Sequence, residues 1–412
     1  MRRLFSIFRG RLWLWELSAL AWLLLLPYIL TAHGYLDWSG HALGRDFVNY
    51  WSAGQLVREH QVAAIFDHDA FLAQEHRLFD PRLPFHFWSY PPVTLFAVAP
   101  LGWLPYIPAL IGWSVIGVLV LVPAARRFLA IPREAILLVA CPATAIDIGL
   151  GQNGALTACI LLLGLSLWAR RPGAAGAVLG LLIFKPQLAL MLPVAVLAER
   201  RWSAMIAAGA VAGTLLLLSI PAFGVDAWRG YFGDSLLIQR LMLTQGSGPF
   251  QWMMPTVLMS GRLLGLPAAA AMSAQAIAAV LAVWTVWSAW RREGDHEAKS
   301  CLLMVATFVA SPQAFNYDLI PAACAALVLW RRDQSAIGQG IALLLWGLPI
   351  LMIALQATDA VAPRSADLVK PLMLIAPATL ALTLWRLYRL CSESSPSLDA
   401  RASTPGELAS NT

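Results

Sequence analysis

Apolar runs long enough to cross a bilayer recur along this chain, and short basic clusters stand at their ends. A segment in hydrocarbon must satisfy every backbone N–H and C=O internally, so only helices and closed barrels can span. The ten-residue alternation of a membrane barrel does not recur, which leaves helices. Composition agrees: 13% of residues are charged and mean hydropathy is +0.67, against about 25% charged in a soluble domain. An all-α integral membrane fold is expected.

The net charge of +6 alone would suit nucleic acid or an anionic surface, but its placement argues otherwise. Basic residues gather as Arg2/Arg3/Arg9/Arg11, Arg126/Arg127/Arg133, Arg170/Arg171, Arg200/Arg201, Arg291/Arg292/Lys299, Arg331/Arg332 and Arg386/Arg389. This is the distribution of cytoplasmic loops under the positive-inside rule. None of the five cysteines falls in an expected outer loop, so no disulfide framework is implied. The N-terminal apolar run reads as an uncleaved first helix rather than a signal peptide.

Placing each basic cluster inside gives spans at Leu12–Leu30, Val93–Val122, Ala135–Ile148, Ala155–Trp168, Gly173–Phe184, Leu188–Ala198, Ala204–Phe223, Pro267–Trp290, Cys301–Val309, Leu319–Trp330, Ala336–Gln356 and Val369–Tyr388. About twelve crossings result, in one polytopic domain over 1–391 with both termini inside. Residues 33–92 form a first outer loop with interfacial helices, 224–266 a second, and 392–412 a disordered cytoplasmic tail. Pro100, Pro105 and Pro108 interrupt the second span, whose first part is expected to lie at the interface as a half-helix.

Two helix pairs are too short. Only 14 residues separate Arg171 from Lys185, and 12 separate Lys299 from Ser311, about 21 and 18 Å of helix against a core of about 30 Å. Their tips, around Lys185 and Ser311–Asp318, are therefore expected inside the outer half of the membrane. Broken polar backbone survives there only against protein or water, which implies an outward-opening cavity.

Asp46 opens an apparent amphipathic helix on the outer surface, either as its N-cap or as a functional carboxylate, two roles that are compatible. Tyr90-Pro91-Pro92 reads as a rigid entry turn. Gln152 and Asn153 sit in a Gly-rich turn and suit sugar hydroxyls; Tyr50, Tyr90, Gln187, Gln313 and Tyr317 complete the candidate substrate-binding set. Lys185 follows a helix too short to return it to the cytoplasm, so it is a candidate phosphate ligand. Arg262 is a second phosphate candidate, with Arg229 and Arg240 behind it. Six of seven histidines fall between His33 and His86, but no HxxxH or HxH spacing occurs, and no metal or other cofactor is expected.

Gly44-Arg45-Asp46-Phe47, Tyr50-Trp51-Ser52-Ala53-Gly54, Ala64-Ile65-Phe66-Asp67, Tyr90-Pro91-Pro92, Gly151-Gln152-Asn153, Lys185-Pro186-Gln187 and Ser311-Pro312 with Tyr317 occur in that order. The set resembles the family 87 glycosyltransferases, a membrane group with the GT-C fold. Phe66 stands where the family often has Tyr. The resemblance implies a GT-C-like bundle that takes a sugar, mannose-type first among several, from a polyprenyl-phosphate donor. The acceptor it implies is a glycolipid or glycan outside the inner membrane. It assigns Asp46 as the base of an inverting transfer. A transporter or flippase of a lipid-linked sugar is the rival reading; the chain lacks the two matching halves common in transporters. A non-catalytic assembly subunit is a third.

Overall fold

The computed structural model describes residues 2–84, 86–361 and 367–393, with side chains from residue 12 onward. Most of the expected tail, 394–412, lies outside the described residues. In chain order the helices used below are α1 (Arg2–Leu30), α2 (Phe47–Arg58), α3 (His68–Leu78), α4 (Tyr106–Phe128), α5 (Pro142–Leu150), α6 (Gly154–Leu167), α7 (Pro172–Gly180) and α8 (Leu192–Glu199). They continue as α9 (Trp202–Phe223), α10 (Ala268–Trp290), α11 (His296–Ala310), α12 (Ile320–Arg332), α13 (Ala336–Val361) and α14 (Ile375–Glu393). Among the described residues the only β structure is a pair of isolated bridges near His33–Ala42.

Six helices are long and apolar enough to cross a membrane: Leu12–Leu30, Tyr106–Phe128, Trp202–Phe223, Ala268–Trp290, Ala336–Val361 and Asp367–Glu393. They leave Ile206, Leu217, Ile277 and Val280 exposed, as a face turned to lipid requires. The other crossings counted from hydropathy are shorter pieces. A Pro or Gly breaks each apolar run before it reaches membrane length: Pro142 after Cys141, Pro186 after Lys185, and Pro312 after Ser311.

These shorter pieces double back as three hairpins, α5 to α6, α7 to α8, and α11 to α12; the arms of the second pack on α9 and α10 rather than on each other. The last pair is the centre of the bundle, buried along almost its whole length. The bases of the hairpins meet at one end. Arg331 bridges Glu134 (2.9 Å) and Glu297. Lys299 pairs with Glu199 at 2.9 Å, and Trp168 Nε1 donates to the same carboxylate at 2.8 Å. The tips, 151–153, 185–187 and 311–318, gather at the opposite end.

The helix expected on the membrane surface is enclosed instead. Phe47, Val48, Tyr50, Ser52, Ala53, Gly54, Gln55 and Leu56 of α2 are all buried. The reason is the segment after Pro92, which folds as short helical turns over 92–103 and packs on α2. Gly102 and Gly54 allow backbone contact: a Cβ on Gly54 would lie 2.7 Å from Gly102 N, and one on Gly102 would collide with the Gly54 carbonyl. Gln55 Nε2 and Trp51 Nε1 then donate to the carbonyls of Gly102 and Leu104, each at 2.9 Å. Gly102→Ala is expected to lower stability by about 1–3 kcal/mol through overpacking, measured by thermal unfolding in detergent. An unchanged melting temperature would show that the two segments can separate freely.

Candidate functional site

Asp46 occupies the N-cap position of α2, but its side chain makes no capping bond. Its Oδ2 instead accepts from Gln152 Nε2 at 2.9 Å. The α5–α6 turn makes this reach possible. Gly151 ends α5 with φ +60°, a conformation that favours glycine, and its position against Phe47 leaves no room for a Cβ. Leu150 O accepts the Asp46 N–H at 3.1 Å, and Trp113 Nε1 donates to Gln152 O at 2.8 Å. The backbone of the turn that carries Gln152 is thus held from both sides.

A chain of hydrogen bonds runs on from Gln152. Tyr50 Oη donates to Gln152 Oε1 at 2.7 Å, and Asn153 Nδ2 donates to Tyr50 Oη at 2.8 Å. Tyr90 Oη lies 2.7 Å from Tyr50 Oη and 3.2 Å from Gln152 Oε1. Asn153 Oδ1 accepts from Lys185 Nζ at 2.9 Å, and the same ammonium donates to Asp318 Oδ1 at 2.5 Å. Lys185 and Asp318 are 2% and 1% exposed. The Tyr317 ring lies under the ammonium, 5.1 Å to its centroid, and stacks on Phe315. Phe315 N donates to Asp318 Oδ2 at 3.3 Å.

Two further features hold the tips together. Asp147 of α5 accepts from the N–H groups of Gly154 and Ala155 at 2.5 and 3.0 Å, satisfying the free N-terminus of α6. Gly154 touches the Tyr317 carbonyl so closely that any Cβ would clash.

A cavity of about 220 Å³ opens beside this cluster. Tyr90, Lys185, Gln187, Gln313 and Tyr317 are in its wall, with Ser89, Phe184, Tyr231, Leu236 and Gln239 among the others. Gln239 Nε2 donates to Ser89 O at 2.8 Å, so the second long loop closes onto the end of the first. Tyr50, Gln152 and Asn153 stand behind the wall. Asp46 is not in the wall; it reaches the cavity through Gln152 and Tyr90. Arg262 is not brought to this place. Its guanidinium donates to the carbonyls of Met242 and Leu243 at 3.3 and 3.1 Å, so its donors serve the C-terminal end of a neighbouring helix. Among the described residues no group of three or more His, Cys, Asp or Glu is placed to hold a metal ion.

Four titratable residues near the site were not singled out from sequence: Asp318, Asp147, Glu75 and His86. For Asp318 a signal existed, because a lysine within the membrane calls for an acidic partner and the facing short hairpin carries one. Glu75 looked like any loop carboxylate. It is 0% exposed, neither of its oxygens has a hydrogen bond, and His86 Nδ1 lies 3.9 Å away. Burial, and then the Asp46 charge, push its carboxyl well above the usual carboxylate range. Burial pushes the His86 imidazole down. Asp46, unlike Glu75, is partly open to solvent.

A family model described as glycosyltransferase family 87 matches residues 88–312. The match takes in Tyr90, Gln152, Asn153, Lys185, Gln187 and Arg262; Asp46 and Tyr50 precede it, and Gln313, Tyr317 and Asp318 follow it. No curated protein and no solved structure matches the chain.

The Glu75 environment has a measurable sign. Folded, the carboxyl keeps its proton to higher pH than in the unfolded chain, so its contribution to stability falls as pH rises above the ordinary Glu range. Glu75→Gln replaces it with a neutral isostere. The variant is expected to be more stable at pH 7 by about 1–3 kcal/mol, with the gain fading toward pH ~4, read by thermal unfolding across pH. A loss of stability at pH 7 would mean that Glu75 is ionised in the fold.

Proposed function

The chain belongs to glycosyltransferase family 87, and on that premise we propose that it transfers a sugar from a polyprenyl-phosphate donor to a glycolipid or glycan acceptor, with Asp46 as general base. The observation that carries this reading is the unbroken line of polar groups from the Lys185 ammonium at the cavity wall to the Asp46 carboxylate. A transfer of this kind needs positive charge where the phosphate leaves and a proton acceptor where the hydroxyl attacks.

The step is a single displacement. The acceptor hydroxyl approaches Asp46 on its partly exposed side rather than through the cavity wall; its oxygen forms a bond to the anomeric carbon while its proton passes to Asp46. The bond from that carbon to the phosphate oxygen breaks, and the electron pair departs with the phosphate. One base and one displacement invert the carbon, by the logic of inverting glycosidases. Lys185 offsets the charge that grows on the leaving oxygen. Gln152 engages one oxygen of Asp46 and leaves the other for the acceptor hydroxyl. Tyr90, Gln187, Gln313 and Tyr317, with Tyr50, Gln152 and Asn153 behind them, offer the hydroxyls and amides that orient a sugar. A mannose-type hexose fits the family.

Sidedness follows from charge. Arg171, Arg200, Arg331 and Arg332 lie at the base end of the hairpins, which the positive-inside rule puts in the cytoplasm. The cavity and Asp46 then face outward across a bacterial-type inner membrane, where a lipid-linked donor is available and a nucleotide sugar is not.

Asp46→Asn is expected to lower sugar transfer by about 10²–10⁴-fold, the usual worth of a positioned base, with unchanged membrane insertion and melting temperature. Near-normal turnover in the variant would remove Asp46 from the chemistry.

A further inference from the structure

The Lys185–Asp318 pair presents a problem for the reaction as read above. The ammonium assigned to the donor phosphate already has a carboxylate at 2.5 Å. Two anions cannot share one buried cation without strong mutual repulsion. A lysine without any partner in this position is no better, since an unpaired charge away from water is strongly unfavourable.

We propose that Asp318 is a positioning residue that stands in for the donor phosphate: it holds Lys185 charged and aimed while the cavity is empty, and surrenders it when the phosphate of a polyprenyl-phosphate donor enters. The geometry suits an exchange of partners. Lys185 lines the cavity, whereas Asp318 does not and approaches the ammonium from behind. Lys185 has two further supports that need not move, the Asn153 carbonyl at 2.9 Å and the Tyr317 ring. Asp318 also has somewhere to go, because its second oxygen is held by Phe315 N–H within its own hairpin. Deprived of its counter-charge in so buried a place, the carboxylate takes one proton from solution. The groups with charge or protons to exchange around it are Lys185, Asp147, Tyr90 and Tyr317. The inference rests on the proposed function, since it takes the phosphate of that donor as the incoming anion.

The test is binding of decaprenyl phosphate, which carries the leaving group without the sugar, to full-length protein in nanodiscs. Removing the competing charge in Asp318→Asn is expected to tighten binding by about fivefold or more. Lys185→Met is expected to lose most of the affinity, and adding Asp318→Asn to it to recover nothing. A purely structural pair would instead leave binding unchanged, or weaken it, in an Asp318→Asn protein of normal melting temperature, and either result overturns the proposal. If that variant does not fold, the wild type still decides. A hydrophobic carbodiimide, which modifies protonated buried carboxyls, is expected to label Asp318 faster once decaprenyl phosphate is bound; an unchanged rate overturns the exchange. Turnover of the wild type and of Asp46→Asn measured alongside separates the ideas. Wild-type protein that transfers no sugar removes the functional reading, an active Asp46→Asn protein removes only the base, and sugar transfer by the wild type with no change at Asp318 removes only the exchange.

Discussion

A lysine carried on a helix too short to reach water has to find its partners inside the protein, and that requirement organises this molecule. Lys185 terminates a half-length helix and is almost wholly enclosed. Asp318 and Asn153 satisfy it from two other hairpins, and the Tyr317 ring supplies the third side. Three separate turns must therefore meet at one point for the charge to be tolerated. The same meeting brings Gln152, adjacent to Asn153, against Asp46. Asp46 and Lys185 belong to one network because both are attached to the α5–α6 turn.

The two ends of the hairpins do different work. At the base end, Arg331, Glu134, Glu297, Lys299 and Glu199 tie three hairpins with partly solvated ion pairs. At the tip end the ties are buried, directional and few, and the backbone comes close where Gly154 meets Tyr317 and where Gly102 meets Gly54. A fixed base and closely packed tips hold a polar cluster steady inside an apolar bundle, which a reaction dependent on placement requires. The six long helices surround this core and present their apolar faces outward.

The sequence made much of this legible through length and charge. The spacing of Lys185 from Arg171 and Arg200 implied two short helices meeting at a broken tip, and the structure has them. The basic clusters marked the shared base of the hairpins. What sequence could not supply was partnership. Asp46 at a helix start looks the same whether it caps the helix or turns toward Gln152, because the choice depends on a turn a hundred residues away. The α2 pattern of Phe47, Tyr50 and Gly54 suggested a surface helix, since nothing local reveals that residues 92–103 will cover the other side. Arg262 had the charge for a phosphate but lies next to carbonyls that need its donors. Glu75 carried no sign of its burial, which comes from packing between α2, α3 and the loop at His86.

The proposed reaction takes a sugar from a lipid phosphate at Lys185 to a hydroxyl activated by Asp46. The most direct measurement follows radiolabel from a polyprenyl-phosphate mannose in proteoliposomes that contain only this protein and a candidate glycolipid. Label is expected to appear in the acceptor, with inverted configuration at the anomeric carbon and free polyprenyl phosphate released in equal amount. Movement of the intact labelled donor between leaflets without transfer, or transfer from a nucleotide sugar alone, would contradict this reaction.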